Sequence, residues 1–150
     1  MRDSDRRPND VSGKLDCPSA QPDMGQIVVF GVVGGTVTEP RVGYLKELQP
    51  ATDDVLALAN PASPTEVFRL SAPCAGVECK HFDGSQCQLG QRLVSQLWPV
   101  IRELPVCRLR PTCRWWHEQG RNACYRCPQI VTETHQASEV LRQIADPSDC

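Results

Sequence analysis

Nine cysteines stand in this chain of 150 residues, and seven of them fall between Cys74 and Cys127. Their order is Cys74-x4-Cys79-x7-Cys87, then nineteen residues, then Cys107-x5-Cys113-x10-Cys124-x2-Cys127-Pro128. Cysteine thiolates ligate soft metals, and the closing Cys-x2-Cys lets two sulfurs converge on one centre. A cysteine followed by proline also ends the ligand run of bacterial ferredoxins. The first interval matches the plant-type ferredoxin spacing but the second does not, so the spacing implies an iron–sulfur centre without fixing its type. Structural zinc is the rival, yet zinc knuckles usually bring two short Cys-x2-4-Cys hairpins and only one is present here. Disulfides or inert thiols are the third reading.

Seven cysteines are one short of two four-ligand sites. His81, two residues after Cys79, is the candidate for the eighth ligand, with His117 behind it. The alternative is one four-cysteine cluster beside another with an open iron. The ligand set expected from sequence is therefore Cys74, Cys79, Cys87, Cys107, Cys113, Cys124 and Cys127 with His81, holding one or two clusters of the 4Fe-4S kind, or zinc in their place. Cys17 and Cys150 fall in tails outside this module and are expected to lie apart from it.

Charge supports this division. Residues 1 to 73 carry 7 Lys/Arg against 10 Asp/Glu, residues 74 to 135 carry 8 against 5, and residues 136 to 150 carry 1 against 3. Metal-bound thiolates are anionic, and Arg102, Arg108, Arg110, Arg114, Arg121 and Arg126 can offset them. The same arginines with Trp115 and Trp116 can alternatively track phosphates and stack bases, while the plainest reading has the tryptophans packing over the metal site.

The elements that must position these groups form an α+β fold, a small N-terminal strand region followed by a mainly short-helical, metal-binding part. Residues 1 to 25, broken by Pro8, Pro18 and Pro22, are expected to be a disordered arm. Ile27 to Val33 is nearly continuous β-branched sequence and predicts a strand, turned at Gly34-Gly35 and followed by Thr36 to Thr38 as its partner. The glycines lack the spacing of a phosphate loop and mark a plain turn. Thr52 predicts a capped helix that ends before Pro61, and Glu66 to Ser71 another strand. Leu89, Leu93 and Leu97 predict a helix from Gln88 to Trp98, stopped by Pro99. Thr112 is the expected cap of a helix through Glu118, with Gly120 as its end, and Val140, Leu141 and Ile144 mark a last helix. The domain plan is an arm at 1 to 25, one cysteine-rich domain at 26 to 135 with its module at 74 to 127, and a helix and tail at 136 to 150.

From Cys74-Ala75-Gly76-Val77-Glu78-Cys79-Lys80-His81-Phe82-Asp83-Gly84 and from Cys113-Arg114-Trp115-Trp116-His117-Glu118 through Cys124-Tyr125-Arg126-Cys127-Pro128-Gln129-Ile130, the chain resembles small cysteine-rich bacterial proteins labelled nitrogen-fixation-associated or uncharacterised. The resemblance spans about Gln26 to Thr132 and implies an iron–sulfur or redox context; it gives no reaction and identifies no ligand. No catalytic triad, metallohydrolase pattern or radical-cluster motif is present, so the expected role is electron transfer or redox or iron sensing rather than catalysis. A zinc-stabilised binding module and an enzyme with an open cluster are the alternatives. The expected partner is a redox or regulatory protein, with nucleic acid as the second possibility through the Arg and Trp surface. No stretch reaches the roughly 18 apolar residues of a membrane span, and cysteine-rich sequence without an apolar leader is expected in the cytoplasm.

Overall fold

A computed structural model describes residues 15 to 36 and 38 to 132. The helix expected around Val140 and the ninth cysteine, Cys150, lie outside the described residues. The fold is α+β, with a four-stranded antiparallel sheet in the order β1-β4-β2-β3, built from β1 (Asp16–Cys17), β2 (Val28–Gly35), β3 (Pro40–Pro50) and β4 (Phe68–Pro73). Short helices fill the rest: α1 (Asp53–Ala57), α2 (Pro64–Val67), α3 (Gln88–Gln96), α4 (Arg114–Gln119) and α5 (Arg121–Cys124).

The two-residue period of the strands sorts the core into two halves. Val29 joins Ala20, Ala59, Phe68, Leu70 and Ala72 on one face of the sheet, while its neighbour Phe30 joins Leu93, Leu109, Cys113, Trp115, Ala123 and Ile130 on the other. Each large apolar side chain buried in this way contributes about 1.5–3 kcal/mol. In β4 the same alternation places Phe68, Leu70 and Ala72 in the first half and turns Arg69 toward Phe30 and Trp115 of the second. The cysteine-rich part therefore packs on one face of the sheet, and a charged residue in the middle of an apolar strand faces it.

Several local expectations hold. Thr52 Oγ1 accepts from the Val55 N–H at 3.2 Å and starts α1, and α3 stops two residues ahead of Trp98. The hairpin turns at Gly35, whose φ of +76° and 2.5 Å separation between an added Cβ and the Glu39 carbonyl admit only glycine. Others are corrected. Thr36 and Thr38 belong to the turn, and the partner strand starts at Pro40. The capping box of Ser63 and Glu66, with Pro64 at the first helical position, keeps 64 to 67 helical, so β4 begins at Phe68. Thr112 does not cap α4: its hydroxyl donates to Asp16 Oδ2 at 2.6 Å, and Cys113 occupies the cap position.

The largest correction concerns the arm. Residues 15 to 25 are not an unstructured tail: Asp16 pairs with Pro73 and Cys17 with Ala72, and Asp16 also bridges to Cys113. Leu15 and Ala20 are buried in the core, and the Ala20 N–H donates to the Leu70 carbonyl at 3.0 Å. Pro18 and Pro22 sit outside the two-residue pairing, and the segment's few apolar residues suffice because the edge of β4 is ready to receive them.

Candidate metal centre: two groups of four cysteines

The eight described cysteines are all free, and they fall in two neighbourhoods, one along the β1–β4 edge and the loop into α3, the other around a pocket between the sheet and the short helices. In the first, burial pushes the Cys17 thiol up to about 12; the Ser19 N–H opposes this, and the sulfurs of Cys87, Cys74 and Cys79 add to it. In the second, burial holds the Cys113 thiol well above its ordinary value, with Cys127, Cys107 and Cys124 acting in the same sense. Cys17, expected to be remote, lies beside the segment that carries Cys74, since it pairs with Ala72 of β4.

The first group is assembled on the sheet edge and the loop that follows it. Cys17 comes from β1, Cys74 follows the last residue of β4, Cys79 follows the 3-10 turn Gly76–Glu78, and Cys87 caps α3. Three of these sulfurs receive the same local contact: the backbone N–H two residues on points at the sulfur, from Ser19 to Cys17, Gly76 to Cys74 and His81 to Cys79, each at 3.4 Å. Burial raises the Cys87 thiol, against donation from the Gly90 and Leu89 N–H groups and the Trp115 indole. Such donors stabilise sulfur in its anionic, ligating form. Arg114 adds a cation, its Nε donating to Cys74 Sγ at 3.1 Å and its Nη1 to Glu118 at 2.6 Å, while the other Glu118 oxygen accepts the Cys87 N–H at 2.8 Å.

The second group surrounds a cavity. Cys107, Cys113, Cys124 and Cys127 line it together with Pro18, Phe30, Tyr44, Pro105, Leu109, Arg110 and Trp116, and it is partly open to solvent. Cys113 caps α4, Cys124 ends α5 and Cys127 opens the 3-10 turn Cys127–Gln129. Burial raises the Cys107 thiol, and it pushes the Cys124 thiol up to about 11, with Cys127 adding and Arg110 opposing. Burial likewise keeps the Tyr44 hydroxyl protonated, helped by the sulfur of Cys127, to which it donates.

Two arginines next to this cavity are unusual. Arg69 is fully buried and donates to the carbonyls of Pro18 at 2.8 Å and of Cys127 and Ile130 at 3.0 and 3.2 Å. It stacks over Phe30 and Trp115, and among the described residues no carboxylate pairs with it. Burial is the largest influence on its guanidinium and disfavours the charge, yet an arginine keeps its proton in a protein, so a cation stands here beside Cys127, Tyr44 and Cys113. Arg110 lies over Trp116, and its buried Nε finds no hydrogen-bond partner among the described residues. A buried cation and a buried orphan donor are each costly unless an acceptor or anion stands nearby.

The two groups share a wall. Along α4 consecutive residues serve them in turn: Cys113 belongs to the second, Arg114 and Trp115 donate to Cys74 and Cys87 of the first, and Trp116 lines the cavity of the second. Arg69 ties the residue after Cys17 to the carbonyl of Cys127.

His81 and His117 do not join the sulfurs. Arg92 donates to His81 Nδ1 at 3.0 Å, and because a guanidinium has no lone pair, that contact uses the one basic nitrogen of the ring. Burial and the Arg92 charge lower the His81 pKa further. His117 Nε2 donates to the Pro111 carbonyl at 2.8 Å. Sequence reasoning overlooked Cys17, Arg69 and Tyr44. Of these Arg69 carried a signal, a lone cation inside Phe68 to Ala72.

Among the described residues no three His, Cys, Asp or Glu side chains converge closely enough to hold a single metal ion. Among the described residues no helix is long and apolar enough to cross a membrane. Comparison with models of known families, with curated proteins and with solved structures finds no match.

Proposed function

We propose that the protein binds two iron–sulfur clusters, one on Cys17, Cys74, Cys79 and Cys87 and one on Cys107, Cys113, Cys124 and Cys127, and that it carries electrons or senses redox state. The observation that bears most weight is the wholly buried Arg69, without a carboxylate partner among the described residues, beside a cavity lined by four sulfurs. An anionic cluster supplies the missing counter-charge, as it does for the orphan Nε of Arg110. When bound, such a cluster takes up and releases single electrons. Metal would hold the sulfurs as thiolates against their burial, and the groups placed to stabilise that charge are backbone N–H groups and the Trp115 indole at the first group and Tyr44, Arg69 and Arg110 at the second. A chain this rich in cysteine keeps its thiols available for metal only in a reducing compartment, and on the cluster reading we place the protein in the cytoplasm.

Anaerobic purification tests this. Two 4Fe-4S clusters give about eight iron and eight sulfide per chain and a brown absorbance that bleaches on reduction. Stoichiometric zinc without sulfide overturns the proposal.

A further inference from the structure

The two cysteine groups present different surfaces. Around the first, the exposed charges are Glu78, Lys80 and Asp83, close to balance. Around the second they are cationic. Arg102, Arg108 and Arg121 are exposed and Arg126 is half-buried, whereas the acidic residues between 97 and 130 are Glu103 and Glu118, the latter spent on Arg114.

Within this cationic surface two large apolar side chains are bare: Trp98 is 86% exposed and Val106 is 74% exposed. Neither stands on a loose segment. The Leu97 carbonyl accepts from Arg126 Nε at 2.7 Å, the Trp98 carbonyl from Gln129 at 2.8 Å, and the Val100 N–H donates to the Tyr125 carbonyl at 2.9 Å. The backbone that presents Trp98 is thereby fixed to the segment carrying Cys124 and Cys127, and Val106 directly precedes Cys107. Three of the four cysteines of this group keep part of their surface accessible. A bare tryptophan on a stretch of chain whose exposed charges are mostly arginine has the composition of a binding hot spot.

Resting on the cluster reading, we propose that this face docks an acidic redox protein, with Trp98 as the apolar anchor, Arg102, Arg108 and Arg121 as the charge-matching rim, and the second cysteine group as the point of electron exchange. Charge complementarity selects an acidic partner, and near-neutral charge at the first group gives that partner no reason to approach there. The geometry disfavours nucleic acid. Trp115 is buried, and one face of Trp116 is covered by the Arg110 guanidinium at 5.4 Å, so no series of open rings is available for stacking.

The test uses the full chain as isolated, an acidic plant-type ferredoxin as the probe and a thymidine oligonucleotide as the competing ligand. Ferredoxin should bind the wild type with an affinity that falls roughly tenfold between low and physiological salt. The double variant Arg102→Glu/Arg121→Glu should weaken low-salt binding by about tenfold or more, and Trp98→Ser by roughly fivefold at either salt, with iron, sulfide and thermal midpoint unchanged. Wild type and variants that bind the ferredoxin alike, a wild type that does not bind it, or tighter binding of the oligonucleotide would each overturn the docking proposal. Iron and sulfide assays on the same samples separate the two ideas: zinc without sulfide removes the cluster, whereas full iron with charge-insensitive binding removes only the docking face.

Discussion

The first cysteine group is built by a sheet edge and the second by helix ends, and their electrostatics differ accordingly. The first relies on repeated, local N–H donors two residues beyond the sulfur and on Arg114, already neutralised by Glu118. The second lines a partly open apolar pocket and has Arg69, with no carboxylate partner among the described residues, hydrogen-bonded to the carbonyl of Cys127. On the cluster reading the second group and Arg69 depend on each other, the cation on an anionic cluster and the cluster on the cation. That mutual dependence is what the following experiments probe.

Cys17→Ser and Cys127→Ser test whether the groups are equals. Each variant should lose about half the iron and sulfide and lower the thermal midpoint by roughly 10 °C or more, because metal binding free energy is folding free energy where the site is absent from the unfolded chain. A silent Cys17→Ser in iron analysis would dissolve the first group. Next in size, Arg69→Met should cost about 3 kcal/mol in denaturant unfolding, since three buried carbonyls lose their donor, and should deplete iron from the second group. Unaltered iron in that variant would break the proposed charge balance.

Gly90→Ala addresses the first group alone. An added Cβ would stand 2.9 Å from the Trp115 ring, the donor to Cys87, so a net loss of about 1 kcal/mol is expected after the gain in helix propensity. In metal-free protein, thermal midpoints should fall as pH rises above about 9. Cys17 and Cys124, at about 12 and 11 when folded, keep protons that the unfolded chain gives up near 9.0. Below pH 8 these thiols are protonated in both states and the curve should be flat. A rising midpoint above pH 9 would contradict the burial of the thiols. The smallest effect is reserved for His81→Ala, which should leave iron content unchanged; loss of iron would restore the histidine as a ligand.

The second group was legible in sequence because its four cysteines lie close together between Cys107 and Cys127, next to a short helix whose end, Gly120, is visible. The strand-then-helix order was legible as well, through the β-branched run of β2 and the leucine spacing of α3. The first group was not. Three of its sulfurs are contiguous, but the fourth arrives from a two-residue strand in a proline-broken segment, and pairing that short carries no periodicity. Arg69 was passed over for a related reason: alternation in β4 normally turns a polar residue to water, and only the packing of the cysteine-rich part onto that face makes the position an interior one.

The succession along α4 has an angular consequence. Each residue of a helix advances by about 100°, so Cys113, Arg114, Trp115 and Trp116 meet two sites from a single turn, and their phase is common to both. Inserting or deleting one residue between Cys113 and Trp116 would rotate Trp116 away from its cavity while shifting Arg114 or Trp115 from Cys74 or Cys87. A length change there should disable both groups together, whereas the same change in the loop between Trp98 and Pro105, which carries no sulfur, should leave the first group intact.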